Sequence, residues 1–283
     1  MSVPRIGVTG ATGGLGGRVA RLLAQAGVPQ RLLVRDLSRA PDIVGPAVTE
    51  VAAFDYTTAM QQLEALAGLD TLLLVSAPES ADRMSLHAQV VEAAVAARVR
   101  QVVYTSFVGA GPDATFTLAR EHGATEELIC ESGLAHTFAR DNFYLDFLPA
   151  LAGSDGVIRG PAGDGKVAAV ARADVARCLA AVLTDPAAHQ GRSYDLTGSQ
   201  ALTLAEAAEI ITEVTGRPVR FHDETVEEAY ASRADYDAPR WQQDAWVSTY
   251  TAIASGELAL VTTAVQDLTG RAPLTLAQLL ADA

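Results

Sequence analysis

Short apolar runs alternate with amphipathic stretches through the first half of the chain. Ile6-Gly7-Val8-Thr9 reads as a buried strand. Residues 15–26 carry Val19, Leu22, Leu23 and Ala26 on one helical face, and Gly27 suits a terminator. Strands are predicted over 31–35, 48–54 and 71–75, the last apolar enough to be covered on both faces. Helices are predicted over 57–66, 86–97 and 117–132, and strands over 101–106 and 137–140. This βαβ rhythm predicts a Rossmann-type α/β fold: a doubly wound parallel sheet with helices on both faces.

After Tyr144 the rhythm loosens, and Gly153, Gly156, Gly160, Gly163 and Gly165 suggest turns and short strands. A helix is predicted over 174–183 and a strand over 192–196. Thr203 reads as an N-cap, with Glu206 three residues on completing a capping box. That helix should run to Thr215 and stop at Gly216, and beyond 219–222 the pattern is mainly helical. The expected organisation is a dinucleotide-binding domain over 1–150, with returning segments from about 166–200, and a smaller, mostly helical substrate-side lobe over 151–283. Decoration at the end of a single domain is the alternative.

Composition narrows the partners. With 21 basic and 34 acidic residues the net charge is −13, and the last 84 residues hold 13 acids against five arginines. Such a surface repels phosphate backbones and anionic membranes, so neither nucleic acid nor a membrane is expected as a partner. No apolar run approaches the ~20 residues of a membrane helix. Cys130 and Cys178 are too few for a disulfide framework or a zinc site, and no signal peptide is recognised, so a cytoplasmic protein is expected.

The candidate chemistry begins at Gly10-Ala11-Thr12-Gly13-Gly14-Leu15-Gly16, between the first strand and the first helix. Glycines there permit a tight turn and close backbone approach, and the helix N-terminus offers amides to an anion. Gly10, Thr12, Gly13, Gly14, Leu15 and Gly16 are therefore expected to bind a dinucleotide diphosphate. The second strand ends in Arg35, where a guanidinium suits a 2′-phosphate, so NADP(H) is expected over NAD(H). Asp36 follows and is expected to point away. Asp55 is placed to meet the adenine amino group, and Ser76 and Ala77 end the fourth strand where the cofactor should cross the sheet.

These residues resemble the NmrA-like atypical short-chain dehydrogenase/reductases. Three further stretches, Glu121-His122-Gly123-Ala124-Thr125-Glu126, Arg140-Asp141-Asn142-Phe143-Tyr144, and Gly163-Asp164-Gly165-Lys166 with Ala171-Arg172-Ala173-Asp174, resemble the bacterial type-2 NAD(P)H:quinone oxidoreductases and the triphenylmethane dye reductases. The resemblance implies that Asp141, Asn142 and Phe143 contact the nicotinamide end of the cofactor. It also implies that Asp141 and Tyr144 line the substrate pocket. The family usually has Asn directly after the Arg, whereas this chain has Asp141 and then Asn142. Phe107, just past the fifth strand, is expected to stack on a planar substrate, and Tyr104 to lie in the core.

The Tyr-x-x-x-Lys pair of most short-chain dehydrogenases is missing. Lys166 is the only lysine, and Ala162 stands four residues before it. His122 falls where the extended forms place that lysine; it is a weak candidate for a catalytic acid, and otherwise a helix-surface histidine. Lys166 either covers the pocket or pairs with an acid. A positioned acid or base is worth ~10²–10⁴ in rate, so its absence suits electron-poor conjugated acceptors better than alcohols. The expected function is NADPH-dependent hydride transfer to quinones or similar planar organic molecules, by a monomer or homodimer. Dye, azo or enone reduction in the same pocket and a non-catalytic NADP(H)-sensing regulator stay open.

Overall fold

A computed structural model describes residues 5–282. Its elements begin with β1 (Ile6–Thr9), α1 (Gly16–Gln25), β2 (Gln30–Val34), β3 (Thr49–Ala53), α2 (Ala59–Leu66), β4 (Thr71–Leu74) and α3 (Arg83–Ala96). There follow β5 (Gln101–Phe107), α4 (Thr117–Glu131), β6 (Ala135–Asp141), α5 (Leu148–Leu151), β7 (Val157–Gly160), β8 (Lys166–Val167) and α6 (Arg172–Thr184). The last are β9 (Arg192–Leu196), β10 (Leu202–Thr203), α7 (Leu204–Thr215), β11 (Arg220–Asp223), α8 (Val226–Ala231), α9 (Arg240–Ala254), α10 (Ala264–Thr269) and α11 (Leu276–Ala281).

Seven strands form one sheet in the order β3-β2-β1-β4-β5-β6-β9. β1 runs parallel to both β2 and β4, so the winding reverses beside β1. That reversal opens a crevice at the carboxyl edge of a doubly wound sheet, where ligands bind. The expected α/β fold is thus present. No helix among the described residues is long and apolar enough to cross a membrane.

The chain divides into two compact units. One holds the residues up to Ser106 with Gly123–Arg140 and Val175–Tyr194; the other holds Phe107–His122, Asp141–Asp174 and the chain from Asp195 on. Each has its own apolar core. In the first, Phe54, Leu66, Leu72, Tyr104 and Ile129 are almost wholly buried; in the second, Leu148, Ile158, Leu204 and Ile253 are.

Local signals place many boundaries. Thr203 accepts from the Glu206 amide while Glu206 bonds back to the Thr203 amide, and α7 stops at Gly216 with φ +71°. Equivalent boxes at Thr225 and Glu228 start α8, and at Thr275 and Gln278 start α11. Helix α3 begins three residues before the predicted start, at Arg83. That side chain is buried and its Nε donates to the Ala77 carbonyl at 3.2 Å, a tertiary contact that periodicity does not report.

Candidate functional site

The glycine turn has the shape its spacing requires. Gly10 sits at φ +61°, and the Gly13 amide donates to its carbonyl at 2.8 Å. A Cβ on Gly16 would collide with the Gly10 carbonyl and stand 2.7 Å from the Thr9 oxygen. A Cβ on Gly13 would meet only the Gly10 oxygen, at 3.2 Å, and otherwise open space. Among the described residues, the amides of Thr12, Gly14 and Leu15 have no partner within the chain, and no side chain caps α1. A cradle kept clear of side chains, with open amides at a helix N-terminus, fits a diphosphate.

Arg35 is exposed at the end of β2. The Asp36 carboxylate turns into its own chain, where its Oδ1 accepts from the Ser38 amide at 2.9 Å and the Ser38 hydroxyl at 2.6 Å. Those bonds hold its pKa below the ordinary carboxylate value, and Asp36 is spent capping a 3-10 turn. Asp55 likewise accepts from the amide and hydroxyl of Thr57, which lowers its pKa, with a smaller contribution from the Arg35 charge. The Ser76 amide donates to Thr105 Oγ1 at 2.8 Å. These residues and the glycine turn all belong to the first unit.

Phe107, His122 and the 141–144 stretch belong to the second. Asp141 ends β6 and is buried, and Tyr144 donates its phenol hydrogen to Asp141 Oδ2 at 2.5 Å. Burial, and then the Asp141 charge, push the Tyr144 pKa well above 10, so the phenol keeps its proton. The Arg172 guanidinium lies 5.0 Å from the Tyr144 ring centre and 4.2 Å from that of Phe147, while the Arg172 amide donates to Asp146. Asn142 faces its own scaffold: Nδ2 donates to the Leu258 carbonyl at 3.0 Å, and Oδ1 accepts from the Phe143 amide at 2.7 Å. The half-buried Phe143 packs 5.9 Å from Phe147. Phe107 is 8% exposed and packs on Phe116 and His122, with ring centres 4.9 and 6.2 Å away.

His122 is itself 8% exposed, which corrects the helix-surface alternative. Lys166 is exposed, with Nζ 3.9 Å from Glu206, so of its two alternatives the pairing with an acid is present. Tyr104 is in the core as expected.

Sequence reasoning missed one network. Glu126, named above only within a stretch that carries the family resemblance, accepts from the buried Ser106 hydroxyl at 2.5 Å and from Arg140 Nε at 2.8 Å and Nη2 at 2.5 Å. One carboxylate thereby ties β5, α4 and β6 together, directly before Asp141. The only signal in the sequence is an Arg at a strand end and a Glu on a helix face shared with Ala119, His122, Thr125 and Ile129.

The NAD(P)H-binding family matches residues 10–186. The NAD(P)H azoreductase of Xenophilus azovorans is 33% identical over 96% of this chain and 95% of its own. The NADPH-dependent quinone oxidoreductase 2 of Escherichia coli, solved with NADPH, superposes with a TM-score of 0.86 at 31% identity, covering 98% of this chain and 99% of that one. The triphenylmethane reductase of Citrobacter, solved with NADP(H), gives 0.84 at 30% identity, over 98% and 99%. The chain belongs to the NAD(P)H-binding family, with an NmrA-like fold and kinship to quinone reductases and azoreductases.

Proposed function

We propose that this chain is an NADPH-dependent reductase of quinones or similar planar conjugated acceptors. Gly10, Thr12, Gly13, Gly14, Leu15 and Gly16 hold the diphosphate, Arg35 the 2′-phosphate and Asp55 the adenine, while Ser76 and Ala77 line the edge where the cofactor crosses the sheet. The preference for NADPH is supported by the exposed Arg35 guanidinium and by Asp36, whose carboxylate is committed to Ser38 instead of a ribose hydroxyl. Phe107 and Tyr144 are the aromatic residues of the acceptor side and Asp141 is the polar group at the nicotinamide, with Asn142 holding the Phe143 amide beside it.

Bound NADPH supplies the hydride. The observation that carries the choice of acceptor is the Tyr144 hydroxyl, bonded to Asp141 with its pKa raised. A phenol so held orients a neighbour but is a poor proton donor near neutral pH. Quinones suit such a site, since their reduced oxygens are stabilised phenolates that water protonates. Catalysis then rests on holding the acceptor ring against the donor.

The test is NADPH oxidation by the purified protein, followed at the nicotinamide absorbance with and without benzoquinone, with NADH beside it and protein-free blanks subtracted. Saturable turnover favouring NADPH is the expected result. Tight NADPH binding without turnover of quinones, azo dyes, triphenylmethane dyes or enones would replace this reading with that of a dinucleotide-sensing regulator.

A further inference from the structure

The backbone leaving β4 is fixed almost group by group by side chains. The Val75 amide donates to Thr9 Oγ1 at 2.9 Å, and the Val75 carbonyl accepts from the Tyr56 hydroxyl at 2.8 Å. The Ser76 amide is held by Thr105, as noted. The Ala77 amide donates to His87 Nε2 at 2.9 Å, and its carbonyl accepts from Arg83 Nε. Five of the six backbone polar groups in this stretch are therefore bonded to side chains from β1, the β3–α2 loop, β5 and α3. Val75 also lies against Gly10 of the glycine turn: a Cβ on Gly10 would stand 3.3 Å from the Val75 Cβ.

Turns are commonly held by their own local bonds. Here the partners come from up to 66 residues away. The His87 contact is the most specific of them. A backbone amide can only donate, so Nε2 must accept, and the ring hydrogen must sit on Nδ1. Nδ1 lies 2.9 Å from Thr125 Oγ1, which receives that hydrogen. The ring is fully buried and meets the Tyr104 ring edge-on at 5.7 Å. Burial, reinforced by the Arg83 charge, depresses the His87 pKa to about 3, so the ring stays neutral across the working range of an enzyme.

We propose that His87 is a positioning residue for the dinucleotide: through the Ala77 amide it holds the exit of β4 in the shape that receives the cofactor, and Thr125 fixes the tautomer that makes this possible. The histidine touches no ligand itself. This rests on the proposed placing of the dinucleotide along that edge, but quinone turnover plays no part in it. A chain that binds NADPH and reduces nothing removes the reductase reading and leaves this inference standing.

The experiment is NADPH titration by nicotinamide fluorescence on three forms of the full chain, with thermal unfolding of each recorded. In His87→Gln the side-chain carbonyl replaces Nε2 as acceptor; in His87→Leu the Ala77 amide loses its acceptor. The expected result is a Kd within threefold of wild type for His87→Gln and at least tenfold higher for His87→Leu. A His87→Leu chain that is folded and binds NADPH as wild type does, or a His87→Gln chain that loses as much as His87→Leu, overturns the proposal. Should His87→Leu fail to fold, nitrogen-15 NMR of the wild-type ring and titration of Thr125→Val decide. A neutral ring with its hydrogen on Nδ1, and a Kd raised at least threefold in Thr125→Val, support the proposal. A hydrogen on Nε2, a charged ring at pH 7, or unchanged affinity in Thr125→Val refutes it.

Discussion

Two alanine substitutions in one turn should fail in different ways. In Gly16→Ala the new methyl meets backbone on every close side: the Gly10 carbonyl carbon and the Thr9 oxygen at 2.7 Å, and the Gly10 oxygen nearer still. Backbone atoms in a strand and a helix start cannot swing away as a flexible side chain can, so α1 must move off β1. Overpacking of this kind costs about 1–3 kcal/mol. In Gly13→Ala the methyl has one neighbour, the Gly10 oxygen at 3.2 Å, which a few tenths of an ångström relieves. Gly13 is not among the glycines at positive φ, so alanine adopts its conformation, and stability should change by less than about 1 kcal/mol. That methyl does project into the space assigned to the diphosphate, and NADPH affinity should fall at least tenfold, or about 1.4 kcal/mol. Urea unfolding and NADPH titration on both variants separate the two effects. Undiminished NADPH binding by Gly13→Ala would refute the seat of the diphosphate. Wild-type stability in Gly16→Ala would refute the packing argument.

Arg35→Ala should weaken NADPH by roughly 1–3 kcal/mol and leave NADH nearly unchanged, read by parallel titrations; equal losses would take Arg35 out of the 2′-phosphate site. His122→Ala should lower quinone turnover less than tenfold, whereas a loss of ~10³ would make His122 the general acid. The neutral His87 predicts acid sensitivity. Between its folded pKa of about 3 and an unfolded value near 6.5, the unfolded chain binds the extra proton, so stability falls as pH falls. From pH 6.5 to pH 4 wild type should lose about 3 kcal/mol relative to His87→Gln, read from urea midpoints; a constant difference would contradict a buried neutral ring.

Much of the first half was legible because its signals are local. Apolar periodicity marked the strands and helices of the sheet, and the capping box at Thr203 and Glu206 marked the start of α7 to the residue. Asp36 was expected only to point away, and the Asx turn that it makes with Ser38, two residues on, went unread although it too is local. What else escaped was long-range. His87 stands alone on an alanine-rich helix, and nothing in its neighbourhood names Ala77, ten residues before it, or Thr125, thirty-eight after. Glu126 shows the same gap: its partners Ser106 and Arg140 lie on two different strands. The orientation of Asn142 was undecidable for this reason too, since its amide is satisfied by Leu258, 116 residues on.

These commitments bear on the chemistry proposed. Tyr144 donates its hydrogen bond to Asp141, Ser106 donates to Glu126 and the His87 ring N–H donates to Thr125. Each bond holds a piece of backbone or a neighbouring side chain in place, and none leaves a proton poised for transfer near pH 7. A positioned acid would contribute about 3–5 kcal/mol to a barrier, whereas fixing two reactants in a near-attack geometry contributes up to about 7–11 kcal/mol. A chain that commits its polar side chains to geometry keeps the larger effect and forgoes the smaller. That exchange is ruinous where the acceptor oxygen must be protonated as the hydride arrives, as in reduction to a secondary alcohol. It is tolerable where the reduced acceptor is a delocalised anion, as the reduced form of the proposed quinone-like acceptor is.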